Sequence, residues 1–289
     1  MTQTAQGAGD CAVQVRGLHK RYQGMAAVDG IDLQIRRGEV FALLGPNGAG
    51  KTTTVEILEG HRSRDSGEVS VLGVDPARGD RAWRSRIGIV AQSESAAAEL
   101  TVREMISHFS AYYPNARDPG EVIAAVGLGD QADRRLRRLS GGQRRRVDVA
   151  LGIVGNPELL FLDEPTTGFD PQARRLFWEL ISGLAGNGTT ILLTTHYLDE
   201  AEALADRVAV LAGGRIAAIG TPADLGGRAA AATVTVSWQA PDGPRAVVTD
   251  APTRYITELA ASLHDEIPGL AVTRPSLEDM YLQLIGTHS

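Results

Sequence analysis

The sequence predicts an α/β fold: a sheet core carrying a glycine-rich anion loop, with an antiparallel β subdomain, an inserted helical subdomain and a small C-terminal α+β appendage. Three observations carry this prediction. "EVFALLGPNGAGKTTTVEIL" (39–58) joins a continuous apolar run to a glycine turn and then to a helix-like stretch. "ELLFLDEP" (158–165) is a second apolar run, ending in two carboxylates. Between 93 and 152 strand-like runs give way to apolar residues at helical spacing.

Each element follows from its local pattern. Residues 1–11 are polar and read as a disordered tail. "AVQVRGL" (12–18) and "IDLQI" (31–35) alternate apolar with polar, as half-buried antiparallel strands do. "EVFALLG" suits a strand covered on both faces, and a helix opens straight after the glycine turn. "GEVSVLG" (67–73) and "SRIGIVAQ" (85–92) are short strands, the second ending at Gln92. "LTVREMISHFSAYY" (100–113), "GEVIAAVGLG" (120–129), "QADRRLRRL" (131–139) and "QRRRVDVALGIVG" (143–155) read as helices of a subdomain spanning 93–152. "ELLFLDEP" and "TTILLTTH" (189–196) are buried strands flanking the amphipathic "PQARRLFWELISGLA" (171–185). "LDEAEALA" (198–205) is a helix, and "RVAVLAGGRIAAIG" (207–220) is a hairpin around Gly213 and Gly214. The main domain is placed at 12–225. The appendage, 226–289, holds two alternating strands, a helix and a terminal helix capped by Ser276.

A chain of 289 residues buries a full core, and a net charge of −6 argues against a general polyanion binder. No nucleic-acid partner is expected. Cys11 is the single cysteine, so no internal disulfide forms and a reducing, cytosolic setting fits. No apolar run reaches the 18 or so residues of a membrane span, and the N-terminus lacks the pattern of a secretory signal. Of the 29 basic residues only Lys20 and Lys51 are lysine. Lys51 sits in the glycine loop, where a compact ammonium fits between phosphates and a planar guanidinium does not.

That loop, Gly45, Pro46, Asn47, Gly48, Ala49, Gly50, Lys51 and Thr52, followed by Thr53, matches G-x-x-x-x-G-K-[ST]. Its glycines let N–H groups face a β-phosphate, Lys51 bridges β- and γ-phosphates, and Thr52 offers a hydroxyl to Mg²⁺. The chain is thus read as a P-loop NTPase. Asp163 and Glu164 leave their strand at its C-terminal end, where ligands bind in open α/β sheets. They serve either as an acidic start for the next helix or, beside a P-loop, as a water-mediated Mg²⁺ ligand and the group that polarises the attacking water. A second anion-binding turn, Ser140, Gly141, Gly142 and Gln143, opens a helix between arginines. Arginines 134–138 and 144–146 are read as a solvated face with interface charge.

"LSGGQ", downstream of "GPNGAGKTT" and just upstream of "LLFLDEP", resembles the signature of ABC-transporter ATPases. The resemblance spans about 12–225. On residues alone Tyr22 is either a surface aromatic or a base-stacking one; the resemblance implies stacking on adenine. It also implies that Gln92 senses Mg²⁺ and a membrane partner, that Asp170 in "TGFDP" belongs to the D-loop, and that His196 contacts the γ-phosphate. Phe169 departs from the leucine of many relatives. The resemblance explains the two anion sites: two copies pack head to tail, and each Ser140 turn caps ATP on the other copy's P-loop.

The expected site is therefore Glu164, His196, Lys51 and Gln92 for catalysis, with Thr52, Gln92 and Asp163 around Mg²⁺. The loop 45–53, Tyr22, the 140–143 turn and Asp170 surround ATP. Around Gln92, in "TTHYLDEAEALADRVAVLAGGRIAAIGTP" and in "PSLEDMYLQLIG", the chain looks like the daunorubicin-resistance type of exporter. That resemblance implies an ATPase at the cytoplasmic side of the membrane, driving a separate polytopic permease. An importer ATPase and a soluble ABC ATPase acting on nucleic acid or ribosomes are the alternatives.

Overall fold

The computed structural model describes residues 10–90, 99–228, 234–263, 266–273, 278, 281 and 282. Gln92, residues 1–9 of the N-terminal tail and Ser276 lie outside the described residues. Cys11, expected in the disordered tail, instead opens the first strand by pairing with Arg36. The chain divides into two compact units, Met1–Ala217 and Ala218–Ser289.

In the first unit, β1 (Cys11–Tyr22) pairs antiparallel with β2 (Met25–Arg36) and with β4 (Ser66–Val71). This small sheet has the order β2-β1-β4. Between its strands in sequence comes β3 (Val40–Leu44), buried at every residue as its unbroken apolar run requires. The glycine loop follows, and α1 (Lys51–Leu58) starts directly from it. After the short α2 (Arg81–Arg84), β5 (Ile87–Val90) enters the main sheet.

The helical segment contains α3 (Val102–Ser110), α4 (Pro119–Ala125) and α5 (Gly141–Val154). Thr101 and Glu104 form a capping box on α3, and Asp118 caps α4 with Pro119 in the first turn. The stretch 131–139 differs from the helix its pattern suggests: only two 3₁₀ turns form, Gly129–Gln131 and Leu136–Arg138. Its backbone groups are taken from outside. The N–H of Leu136 donates to Leu100 O at 2.9 Å, and that of Val102 to Arg134 O at 3.1 Å. Bonding to the entry of α3 replaces the i→i−4 ladder.

The chain then returns through β6 (Leu159–Asp163), α6 (Pro171–Gly186), β7 (Thr190–Thr195), α7 (Leu198–Leu204), β8 (Arg207–Ala212) and β9 (Arg215–Gly220). The six-stranded sheet has the order β5-β6-β7-β3-β8-β9, with parallel pairing from β5 to β8. Gly213 and Gly214, at φ 55° and 77°, make the turn that folds β9 back on β8. Phe41, Leu43, Leu159, Phe161, Leu192 and Leu211 pack with Val13, Leu18 and Ile35 of the small sheet in one core. The parallel order sets the C-terminal ends of β3, β6 and β7 side by side, which positions the site.

The second unit contains α8 (Pro222–Arg228), β10 (Val234–Ala240), β11 (Gly243–Thr249), α9 (Pro252–Leu263) and β12 (Ala271–Thr273). Its sheet has the order β11-β10-β12 and is antiparallel. Val234, Val236 and Trp238 pack against Tyr255, Ile256 and Leu259 of α9, the small core that the alternating pattern of 232–238 requires.

Candidate functional site

The glycine loop is wedged between two strands. A Cβ at Gly50, where φ is +101°, would lie 2.2 Å from Ala27 O, and one at Gly45 would lie 2.5 Å from Leu211 O. Only glycine fits either place. Gly50 is also the N-cap of α1 and supplies no side-chain cap, so the first turn keeps its N–H groups for an anion. Lys51 is buried, and its Nζ donates to Gly45 O at 2.8 Å and Pro46 O at 3.3 Å. The ammonium thus laces the loop from inside.

β6 delivers Asp163 and Glu164 beside it. Lys51 Nζ stands 3.6 Å from Glu164 Oε1, and His196 Nδ1, just past β7, stands 3.3 Å from Glu164 Oε2. The His196–Glu164 approach is an ion-pair distance without hydrogen-bond alignment. Glu164 has φ +43°, a left-handed conformation costing about 1–3 kcal/mol for a residue with a side chain. Its N–H donates at 3.1 Å to both Thr194 O and Thr194 Oγ1. Thr194 Oγ1 in turn donates to Asp163 Oδ1. One buried threonine therefore fixes both acidic residues. Glu59, at the end of α1, is pushed up to about 8, first by burial and then by the charges of Asp163 and Glu56.

Thr52 is exposed at the start of α1. Its hydroxyl and the Asp163 carboxylate are hard oxygen donors, which suit a Mg²⁺ ion that keeps waters and phosphate among its ligands. Tyr22 is 36% exposed; Arg62 Nη1 donates to its hydroxyl at 2.5 Å, and the Arg62 guanidinium lies 5.3 Å from its ring centroid.

The second glycine turn, 140–143, has a different character. Ser140 is the N-cap of α5, and with Gln143 it forms a capping box: Gln143 N donates to Ser140 Oγ at 3.3 Å, and Ser140 N donates to Gln143 Oε1 at 3.0 Å. Ser140 and Gly141 are exposed, and a Cβ at Gly141 or Gly142 would meet nothing within 4 Å. Asp170 caps α6, accepting from Ala173 N at 2.7 Å. Phe169 packs edge-on against Phe177, ring centroids 5.9 Å apart, so the aromatic departure is absorbed by the core.

The solvated-face reading of arginines 144–146 fails at Arg145, whose side chain is 12% exposed. Burial of Val149 one turn on marks that face in the sequence. Thr194 and Glu200 also escape sequence reasoning. Glu200 is fully buried; Thr195, Thr166 and Trp178 face its carboxylate without reaching hydrogen-bond geometry, and burial pushes its pKa up.

The ABC transporter family model matches residues 28–167. The daunorubicin/doxorubicin resistance ATP-binding protein DrrA of Streptomyces peucetius is 46% identical over 74% of this chain and 66% of its own length. The daunorubicin resistance ATP-binding protein DrrA3 of Streptomyces coeruleorubidus is 37% identical over 96% of both chains. The chain belongs to the ABC transporter ATP-binding family. The ABC cassette cbiO1 of Clostridium perfringens, described as part of the transporter complex cbiONQ, superposes with a TM-score of 0.68 at 31% identity, over 75% of this chain and 90% of that one. The cassette is thus an ATPase built on the ABC fold. Among the described residues, no helix is long and apolar enough to cross a membrane.

Proposed function

We propose that this cassette is the ATP-hydrolysing subunit of an exporter, working as a head-to-tail pair beneath a separate membrane permease. The observation that carries this reading is Glu164 held between Lys51 and His196, at 3.6 and 3.3 Å, at the mouth of a P-loop. The likeness to drug-resistance cassettes over 96% of the chain supports the export direction.

In this reading the α1 N-terminus and the loop 45–53 bind the phosphates, and Lys51 turns from the loop carbonyls to the β- and γ-oxygens. Tyr22 stacks on adenine. Glu164 orients the attacking water, and His196 stabilises charge on the γ-phosphate. Thr52 and Asp163 would hold Mg²⁺, which supplies charge neutralisation at the phosphates. Gln92 would report the filled site to the permease. The exposed Ser140 turn and Asp170 meet the other copy, so ATP joins the two and its hydrolysis releases them. Residues 226–289 form the accessory domain in this scheme.

The test is Glu164→Gln. Steady-state ATPase is expected to fall by about 10²- to 10⁴-fold while ATP still binds. Unchanged turnover would remove Glu164 from its role.

A further inference from the structure

Helix α5 carries the Ser140 turn at its start and is tied, five residues on, to the peptide planes around Glu164. Arg145 Nη2 donates to Asp163 O at 2.9 Å, and Arg145 Nε donates to Pro165 O at 3.1 Å. These two carbonyls lie on either side of Glu164. The guanidinium is largely buried, with Asp148 of the same helix 4.0 Å away and the charges of Asp163 and Glu200 acting on it. Its sequence neighbour Arg144 is exposed.

Burying a permanent charge is costly, and a planar fork reaching two carbonyls at once holds them in a fixed mutual geometry. The residue between those carbonyls is already in a left-handed conformation, at φ +43°. A shift or rotation of α5 is therefore delivered to the backbone of Glu164 through two charge-assisted hydrogen bonds. Nothing comparable is required merely to present Ser140, whose turn is closed by its own capping box.

We propose that Arg145 is a positioning residue that couples the two ATP sites of the paired cassettes: seating of the Ser140 turn on the other copy's nucleotide is passed through Arg145 to the same chain's Glu164. The inference rests on the head-to-tail reading above. Each Ser140 turn serves the opposite ATP, while each Glu164 serves its own. A rigid link between them makes hydrolysis at one site depend on occupancy of the other.

Arg145→Met and Arg145→Lys in the full chain test this, beside Glu164→Gln alone and Glu164→Gln combined with Arg145→Met. The expected result for Arg145→Met is a fall in kcat of about tenfold or more, since small misplacement of a catalytic group is costly. The Hill coefficient for ATP should drop from about two toward one. Nucleotide affinity, and ATP-driven pairing in the Glu164→Gln background, should stay within about threefold of the Arg145 parent. Lysine, reaching one carbonyl where arginine reaches two, should recover part of kcat; this variant keeps the test open if methionine impairs folding. Unchanged kcat and cooperativity in both variants would overturn the proposal. So would loss of pairing in step with kcat, which would make Arg145 a mere support for α5. Failure of Glu164→Gln alone to pair with ATP would overturn the head-to-tail reading itself and the coupling with it.

Discussion

The two glycine turns of this cassette, 45–53 and 140–143, are built in opposite ways. The loop 45–53 is closed around itself: Gly45 and Gly50 abut strand carbonyls, Lys51 is buried against the loop's own oxygens, and Glu164 and His196 converge on the same point. The 140–143 turn satisfies itself through its capping box but faces outward, with open space beside Gly141 and Gly142. The first is a centre complete enough to bind a nucleotide. The second, in the proposed scheme, is a surface that acquires its ligand from the other copy. In that scheme a single chain carries two halves of different sites.

The sharpest way to break this comparison, after Glu164→Gln, is to fill the open space. Ser140→Arg should abolish ATP-driven pairing and lower ATPase by more than about tenfold, since a long cation replaces the cap at the interface. Nucleotide affinity of the single chain should hold within about twofold, because the loop 45–53 is untouched. Affinity lost in parallel, measured by titration with a fluorescent nucleotide, would show that the two turns are not separate.

The closed turn should respond in the reverse way. Gly50→Ala places a side chain at φ +101° and 2.2 Å from Ala27 O. It should cost more than about 1 kcal/mol of stability and weaken nucleotide binding directly, with or without a second copy present. A melting temperature and nucleotide affinity equal to those of the parent would contradict the wedged geometry. Tyr22 is a gentler probe. Tyr22→Ala should weaken ATP by about 1–3 kcal/mol if the ring stacks on the base, while Tyr22→Phe should keep most affinity. Equal affinity in all three chains would leave Tyr22 a surface aromatic paired with Arg62.

The smallest effect separates the two ends of one strand. Glu158, just before β6, is bridged by Arg86 and Arg37, which lower its pKa to about 2. Its folded pKa lies below its unfolded one, so its stabilising effect is present at neutral pH. That effect fades as pH falls below the ordinary glutamate value near 4.5 and is lost as pH passes down through about 2. Glu158→Gln should therefore lower the melting temperature slightly at pH 7, converge with the parent toward pH 2, and leave kcat unchanged. A loss of kcat would mean that the two ends of β6 are not functionally distinct.

How much of this was legible in the sequence follows the same division. The glycine loop and the apolar run ending at Asp163 and Glu164 are each a contiguous stretch, so local pattern alone puts each at the C-terminal end of a buried strand. The pairing of Glu164 with His196 depends on β6 and β7 lying side by side, which only the topology supplies. Arg145 looks like its exposed neighbour Arg144 in composition; its burial comes with its bonds to Asp163 O and Pro165 O at the end of β6, which only tertiary packing supplies. Thr194 is hidden because its strand carries three threonines, Thr190, Thr194 and Thr195, all buried, and nothing in local pattern singles out the one whose hydroxyl meets Asp163 and Glu164. The stretch 131–139 kept helical spacing but bonded to the entry of α3, a tertiary partner invisible in local pattern.

The most direct measurement is the mass in solution of Glu164→Gln with and without ATP, beside the same chain carrying Ser140→Arg. Pairs that form only with ATP, and only when Ser140 is intact, are the predicted result. Single chains that bind ATP without associating, or pairs that persist with arginine at 140, would contradict a nucleotide shared between two copies.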